Sequence, residues 1–108
     1  MKPRGRPQKS RYVQNMPKIT QFSPRGKPGR PEEVMLTIDQ LEALNLADFK
    51  HLSQLDGSRI MGISRPSFSR LIKRAHRIVA DALVNGKIIR IGGGPIIYST
   101  QAEKMVSL

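Results

Sequence analysis

Arg65–Asn85, RPSFSRLIKRAHRIVADALVN, decides how the rest of the chain is read. Phe68, Leu71, Ile72, Ala75, Ile78, Val79, Ala82 and Leu83 recur at i, i+3, i+4 and i+7, which draws one apolar stripe along an α-helix. A stripe of that width needs a core beneath it. Arg65, Ser67, Ser69, Arg70, Lys73, Arg74 and Arg77 fall on the other side, so long cations and short hydroxyls face outward together. Ser64 supplies an N-cap, Pro66 is tolerated in the first turn, and Gly86 can take the left-handed conformation just past Asn85. Such a helix spans about 30 Å, longer than one groove contact requires. Its first half holds the cations; Ile78–Leu83 is nearly all small or branched apolar and suits packing or self-association.

The segments before it continue the pattern. Thr37 with Gln40 forms a capping box ahead of Leu41, Leu44 and Ala47, predicting a helix to about Asp48. Its acids, Asp39, Glu42 and Asp48, are scattered, and Asp39 favours the positive helix start, so a structural role outweighs a catalytic dyad. Ser53 opens a second helix, Gln54 to about Met61, and Gly62-Ile63 turns the chain into Ser64. Small Gly57 and Ser58 stand where two helices must cross closely, Gly62 where the turn needs positive φ, and Ile63, Phe68 and Leu71 anchor the crossing. Together these predict a helix-turn-helix whose last helix presents its N-terminal end outward. In that geometry Arg65, Ser67, Ser69 and Arg70 are the candidate base-reading residues, Arg offering two donors to a guanine edge. Ser53, Ser64, Lys73, Arg74 and Arg77 are the candidate phosphate contacts, which position without choosing sequence.

Charge divides unevenly. Residues 1–31 carry nine Lys/Arg and no acid, 32–64 carry two against six, and 65–90 carry seven against one, within a net +11. That polarity serves a polyanion better than it serves mere solubility, against the plainer alternative of a solvated basic face with a floppy tail. Residues 1–31 also hold six of the eight prolines, so a flexible basic arm is expected there, a domain over 32–99, and a tail over 100–108. Within the arm, Pro3-Arg4-Gly5-Arg6-Pro7 matches the core of an AT-hook, in which glycine lets Arg4 and Arg6 lie flat in a narrow A·T minor groove; nonspecific phosphate attraction, or no role at all, is the alternative. Pro24-Arg25-Gly26-Lys27-Pro28 is a looser copy. Lys18–Phe22 alternates like a strand and Val34-Met35-Leu36 is a short apolar run. At the other end, Lys87–Ile91 and Ile96–Ser99 flank Gly92-Gly93-Gly94-Pro95, suggesting a hairpin or wing from which Lys87 and Arg90 could touch DNA, packed on the helices, on the earlier strands or on a second subunit.

Other chemistries find little support. With no cysteine, disulfides and thiolate metal sites are excluded, and His51 and His76 lack a companion at ligand spacing, so neither metal nor cofactor is expected. Gly62–Pro66 is one residue short of a nucleophile elbow, and Ser64 caps a helix there. The glycine run is followed by no lysine-serine pair or helix, so it is a turn rather than a phosphate loop. The chain is not expected to be an enzyme. No apolar run approaches the ~20 residues of a membrane span, and a cytoplasmic protein is expected.

At this point the residues resemble known families. Met61-Gly62-Ile63-Ser64-Arg65, then Phe68-Ser69-Arg70, Lys73-Arg74-Ala75 and the run to Leu83, is similar to the promoter-reading helix-turn-helix of bacterial sigma factors. A nearer resemblance is to the small prokaryotic family catalogued as domain of unknown function one hundred thirty-four, predicted to bind DNA. Its pattern is carried by Leu36-Thr37, Leu41-Glu42-Ala43-Leu44, Leu46-Ala47-Asp48, Leu52-Ser53-Gln54, the turn, Ala80–Lys87 and Ile91, most of residues 34–94. Leu55–Ser58 departs from the acid and paired alanine usual there, and Asn45 from an arginine. The resemblance implies a mainly α fold: a sigma-factor-like helix-turn-helix of three helices with short β-strands or a hairpin at the edges and a disordered basic arm. It also implies a role in binding double-stranded DNA. A homodimeric transcriptional regulator is the expectation, since one short helix offers few base contacts. A module that binds RNA, polymerase or another regulator through the same face is the alternative.

Overall fold

In the computed structural model, which describes residues 9–26 and 29–98, three helices carry a set of short strands. The element order is β1 (Arg11–Val13), β2 (Gln21–Phe22), β3 (Glu33–Leu36), α1 (Ile38–Leu44), α2 (Gln54–Met61), α3 (Arg65–Asn85), β4 (Ile88–Ile91) and β5 (Ile96–Tyr98). Each helix begins where its capping residue demands. Gln40 Oε1 accepts from the Thr37 N–H at 2.9 Å, Ser53 Oγ from the Asp56 N–H at 3.0 Å, and Ser64 Oγ from the Ser67 N–H at 3.2 Å. Gly62 at φ 70° ends α2, and Gly86 at φ 64° ends α3, both left-handed. α1 does not run to Asp48 as a plain α-helix: after Leu44 the chain widens into a π-helical turn, Asn45–Phe49, closed by Lys50 N–H donating to Asn45 O at 2.8 Å.

Two connected clusters form the interior, and α3 spans both. Phe68, Leu71 and Ile72 meet Ala43, Leu46, Met61 and Ile63 under the α2–α3 turn. Ala75 meets Val13, Leu36, Ile38 and Ile91, with Ile78 and Val79 packed against that second group. The apolar second half of α3 is thus divided: Ile78, Val79 and Ala82 face inward, whereas Leu83 is 75% exposed.

The strands correct two expectations. β4 and β5 form no hairpin. β4 is the centre of a three-stranded sheet, antiparallel to β2 and parallel to β3, with Leu36 opposite Ile91. Both its edges are therefore occupied, and β5 pairs instead with β1, parallel, with Arg11 opposite Ile96. The glycine run crosses between the sheets against the start of α1: Gly92 N–H donates to Leu36 O, and Ile38 N–H donates to Gly93 O, each at 3.1 Å.

The second correction concerns the arm. The prolines predict an independent segment through residue 31, yet Arg11–Val13 and Gln21–Phe22 are sheet-paired, and Val13 is fully buried. The physical reason lies in α1. Asp39 Oδ2 accepts from Arg11 Nη1 at 2.7 Å in a buried ion pair, and Glu42 Oε2 accepts from the Gln14 N–H at 3.1 Å. Two acids of α1 thus hold β1 and the residue after it. Pro3–Pro7, with the AT-hook-like Arg4, Gly5 and Arg6, lies outside the described residues, as do Lys27 and Pro28 of the looser copy, Ser99 and the tail from residue 100.

Candidate nucleic-acid interface

α3 turns about 100° per residue, so its faces follow from the buried set. Phe68, Leu71, Ile72 and Ala75 are buried. Opposite them, Arg70, Lys73 and Arg77 form the outer line, with Ser67 and Arg74 along one edge and Arg65, Ser69 and His76 along the other. Arg65, Arg70, Lys73, Arg74 and Arg77 are all exposed; Ser67 and Ser69 are half-buried. Among the described residues no carboxylate forms a salt bridge with any of these five cations. Arg77 still acts on Asp81 through the electrostatic field, and the guanidinium and ammonium groups of this face stay open to solvent.

The front end of the helix is held stiffly. Besides capping Ser67 N–H, Ser64 Oγ donates to Ser67 Oγ at 2.9 Å, and Arg70 Nη2 lies 3.4 Å from the same Ser67 oxygen. Ser64 and Ser53 are exposed but their hydroxyls already serve as caps, so their N-terminal backbone, rather than a free side chain, is what they present. At the other edge, His76 Nε2 and Asp48 Oδ2 are 2.7 Å apart, tying α3 to the π-helical turn.

The sequence left Lys87 and Arg90 as cations that could touch DNA from a wing; in the fold both are already engaged by carboxylates. Arg90 Nε donates to Glu33 Oε1 at 2.7 Å and its Nη1 to Gln21 Oε1 at 2.9 Å, joining three strands. Lys87 Nζ reaches Asp81 Oδ2 at 3.0 Å. The Arg90 hydrogen bond lowers the Glu33 carboxyl below its ordinary value and is answered by a raised Arg90. Asp81 is lowered by the Asn85 amide and then by Lys87, whose own value is raised by Asp81. Both cations brace the sheet and the end of α3.

What sequence reasoning missed is the approach of the N-terminal strand to the α2–α3 turn. The Tyr12 ring lies against Gly62, where a Cβ would come within 2.8 Å of it. That contact leaves Lys9 and Arg11 bordering the same cleft as Ser67, Arg70 and Arg74. A three-residue strand inside a proline-rich stretch carries no periodic signal that could have announced it.

Among known proteins, residues 1–99 match the family described as "Protein of unknown function DUF134". The chain belongs to that family. Its relatives include a UPF0251 protein of Prosthecochloris aestuarii, 47% identical over 94 residues that make up 86% of this chain and 61% of the relative. A UPF0251 protein of Chlorobium chlorochromatii is 48% identical over 94 residues, 86% of this chain and 53% of its own length. A third, from Caldanaerobacter subterraneus subsp. tengcongensis, is 48% identical over 101 residues, 93% of this chain and 84% of the relative. The chain thus spans little more than half of the first two. No solved structure matches it. Among the described residues no helix is long and apolar enough to cross a membrane, and no group of three or more His, Cys, Asp or Glu is placed to hold a metal ion.

Proposed function

We propose that α2, the Gly62-Ile63 turn and α3 act as a helix-turn-helix that binds double-stranded DNA with sequence preference, as a transcriptional regulator. One observation carries it: a helix fixed from below by two core clusters holds five cations on its outer faces, none in a salt bridge with a described carboxylate. The first turns of α3, with Arg65, Ser67, Ser69 and Arg70, enter the major groove, while Lys73, Arg74 and Arg77 meet the phosphates alongside. A rigid cationic helix end is worth more in this role than a flexible one, because less side-chain and backbone freedom is lost on docking. Two copies on a two-fold site, with half-sites about 34 Å apart or a multiple, supply the base contacts that a single short helix lacks.

Selection from random duplexes with the purified chain is the test. A recovered motif with two-fold symmetry, with a solution mass of two chains on the site, is the expected result; a pool that stays random defeats sequence recognition. Salt separates DNA binding from a protein-docking role of the same face. With about six phosphate contacts, affinity should fall by orders of magnitude between about 50 and 200 mM salt.

A further inference from the structure

One edge of α3 borders a cleft of about 670 Å3 between it and β1, lined by Lys9, Arg11, Thr37, Ser67, Arg70 and Arg74 among others. That volume lies in the range of small-ligand sites, roughly 300–1,000 Å3, and beside Ile63 and Leu71 the lining gathers four cations against the single acid Asp39, where such sites usually hold few charges. Arg11 and Asp39 cancel one another at 2.7 Å, which leaves Lys9, Arg70 and Arg74 around one concavity, none in a salt bridge with a described carboxylate. Like charges gathered in a concave wall raise the local potential for an anion. A second observation points the same way. The Arg11 side chain is only 8% exposed, and its Nε–H donor has no hydrogen-bond partner among the described residues. A buried polar atom left in that state marks a wall that a further polar group would complete.

The charge also says what does not belong there. An apolar ligand would strand three cations. Phosphate suits the basic side of the cleft, with oxygens for two guanidinium forks, an ammonium and the Ser67 and Thr37 hydroxyls, while Asp39, the one acid of the lining, is already paired with Arg11. We propose that this cleft is a phosphate-binding site, and that filling it is coupled to DNA binding because Arg70 and Arg74 face both. The coupling rests on the DNA reading of α3; the site itself does not. Its phosphate comes either from the DNA backbone beside the groove that α3 enters or from a small free polyphosphate.

Calorimetric titration of the full chain with inorganic pyrophosphate tests the site without DNA. One-to-one binding is expected, weakened about tenfold or more by Lys9→Ala or Arg74→Ala and within about twofold of the parent in Lys50→Ala, which removes an equal charge elsewhere. Thermal melting of each variant controls for folding. A duplex that displaces pyrophosphate assigns the site to the DNA backbone; both bound together, each altering the other's affinity, assigns it to a free polyphosphate. Absence of saturable binding, or equal losses in Lys50→Ala, overturns the site. Simultaneous binding with no mutual effect overturns the coupling. Pyrophosphate binding by a chain that takes up no duplex would leave the site standing and sink the DNA reading, whereas duplex binding without pyrophosphate binding would do the reverse.

Discussion

The Phe68 ring occupies the space that a side chain on Gly57 would need: a Cβ there would lie 2.7 Å from Phe68 Cζ and 2.9 Å from Cε1. Glycine inside a helix costs about 1 kcal/mol relative to alanine, so by propensity alone Gly57→Ala should stabilise α2. Packing decides otherwise. Phe68 is fully buried among Leu46, Met61 and Leu71, and the ring can yield only by compressing a close-packed neighbour. Gly57→Ala is expected to lower stability by about 1–3 kcal/mol in urea unfolding. With Phe68→Leu as background the same substitution should cost distinctly less, a non-additive coupling that marks direct contact. A Gly57→Ala chain as stable as the parent would mean that α2 and α3 do not approach so closely.

The Arg11–Asp39 pair attaches the N-terminal strand to α1, and both partners are almost wholly buried. Removing one leaves the other as an uncompensated charge away from water. Arg11→Ala or Asp39→Ala should therefore cost about 3–5 kcal/mol, whereas Arg11→Met together with Asp39→Leu should cost much less, because desolvating the ions offsets most of their attraction. Chemical denaturation of the four chains measures this. Equal losses in the single and double variants would place the stabilisation in shape rather than charge. Gly94 belongs to the same joint, since a Cβ on it would come within 2.6 Å of Asp39 Oδ1.

Acid should loosen the three-stranded sheet first. The Arg90 hydrogen bond holds Glu33 below its ordinary 4.5 in the folded chain, so the stability this bond contributes is complete above that value and is lost as pH falls through the lower folded one. Asp81, held below 3.8 by Asn85 and Lys87, adds a loss of the same sign at lower pH. Unfolding midpoints are expected to fall as the medium is acidified below about pH 4.5, and Glu33→Gln should flatten the upper part of that decline. The effect is modest because both carboxyls are solvated, and salt should reduce it further. An acid limb that is identical in Glu33→Gln would assign it to other carboxylates.

How much of this was legible in the sequence follows the range of the interactions. Thr37, Ser53, Ser64 and Gly86 act within four residues of themselves, so α2 and α3 begin and end where the sequence puts them. Strand pairing depends on partners far away. Arg11 lies opposite Ile96, and neither three-residue strand has enough alternation to be distinguished from coil. The apolar runs flanking Gly92–Gly94 look locally like a hairpin, but a strand has two edges, and β2 and β3 take both of those on β4. The site divides in the same way. Helical spacing was sufficient to set Arg70, Lys73 and Arg77 outward, whereas the pairing of Arg90 and Lys87 needed Glu33 and Asp81 brought in by the fold. Lys9 and Arg11 reach the cleft only through β1, so their part in it could not be read in advance.

The outer faces of α3 make two kinds of interaction if the helix enters a major groove, and substitution should separate them. Arg65 and Arg70 stand in its first two turns, near the end that Ser64 caps and that a groove admits deepest. Abolishing a bidentate hydrogen-bond pair to a base edge costs about 1–3 kcal/mol at that position and relaxes the preference there. Lys73 and Arg77 lie further along, with no described carboxylate in a salt bridge, where the helix leaves the groove floor and passes the backbone. Deleting one cation that meets a phosphate should weaken preferred and random duplexes alike and reduce the salt slope by about 0.9. Arg65→Ala and Arg70→Ala are thus expected to shrink the ratio of specific to nonspecific affinity, while Lys73→Ala and Arg77→Ala leave that ratio nearly constant and flatten the slope. Binding curves on the selected duplex and on a scrambled one, each at several salt concentrations, measure both quantities. If all four substitutions move ratio and slope together, the cations form one undifferentiated electrostatic surface, and α3 does not read bases.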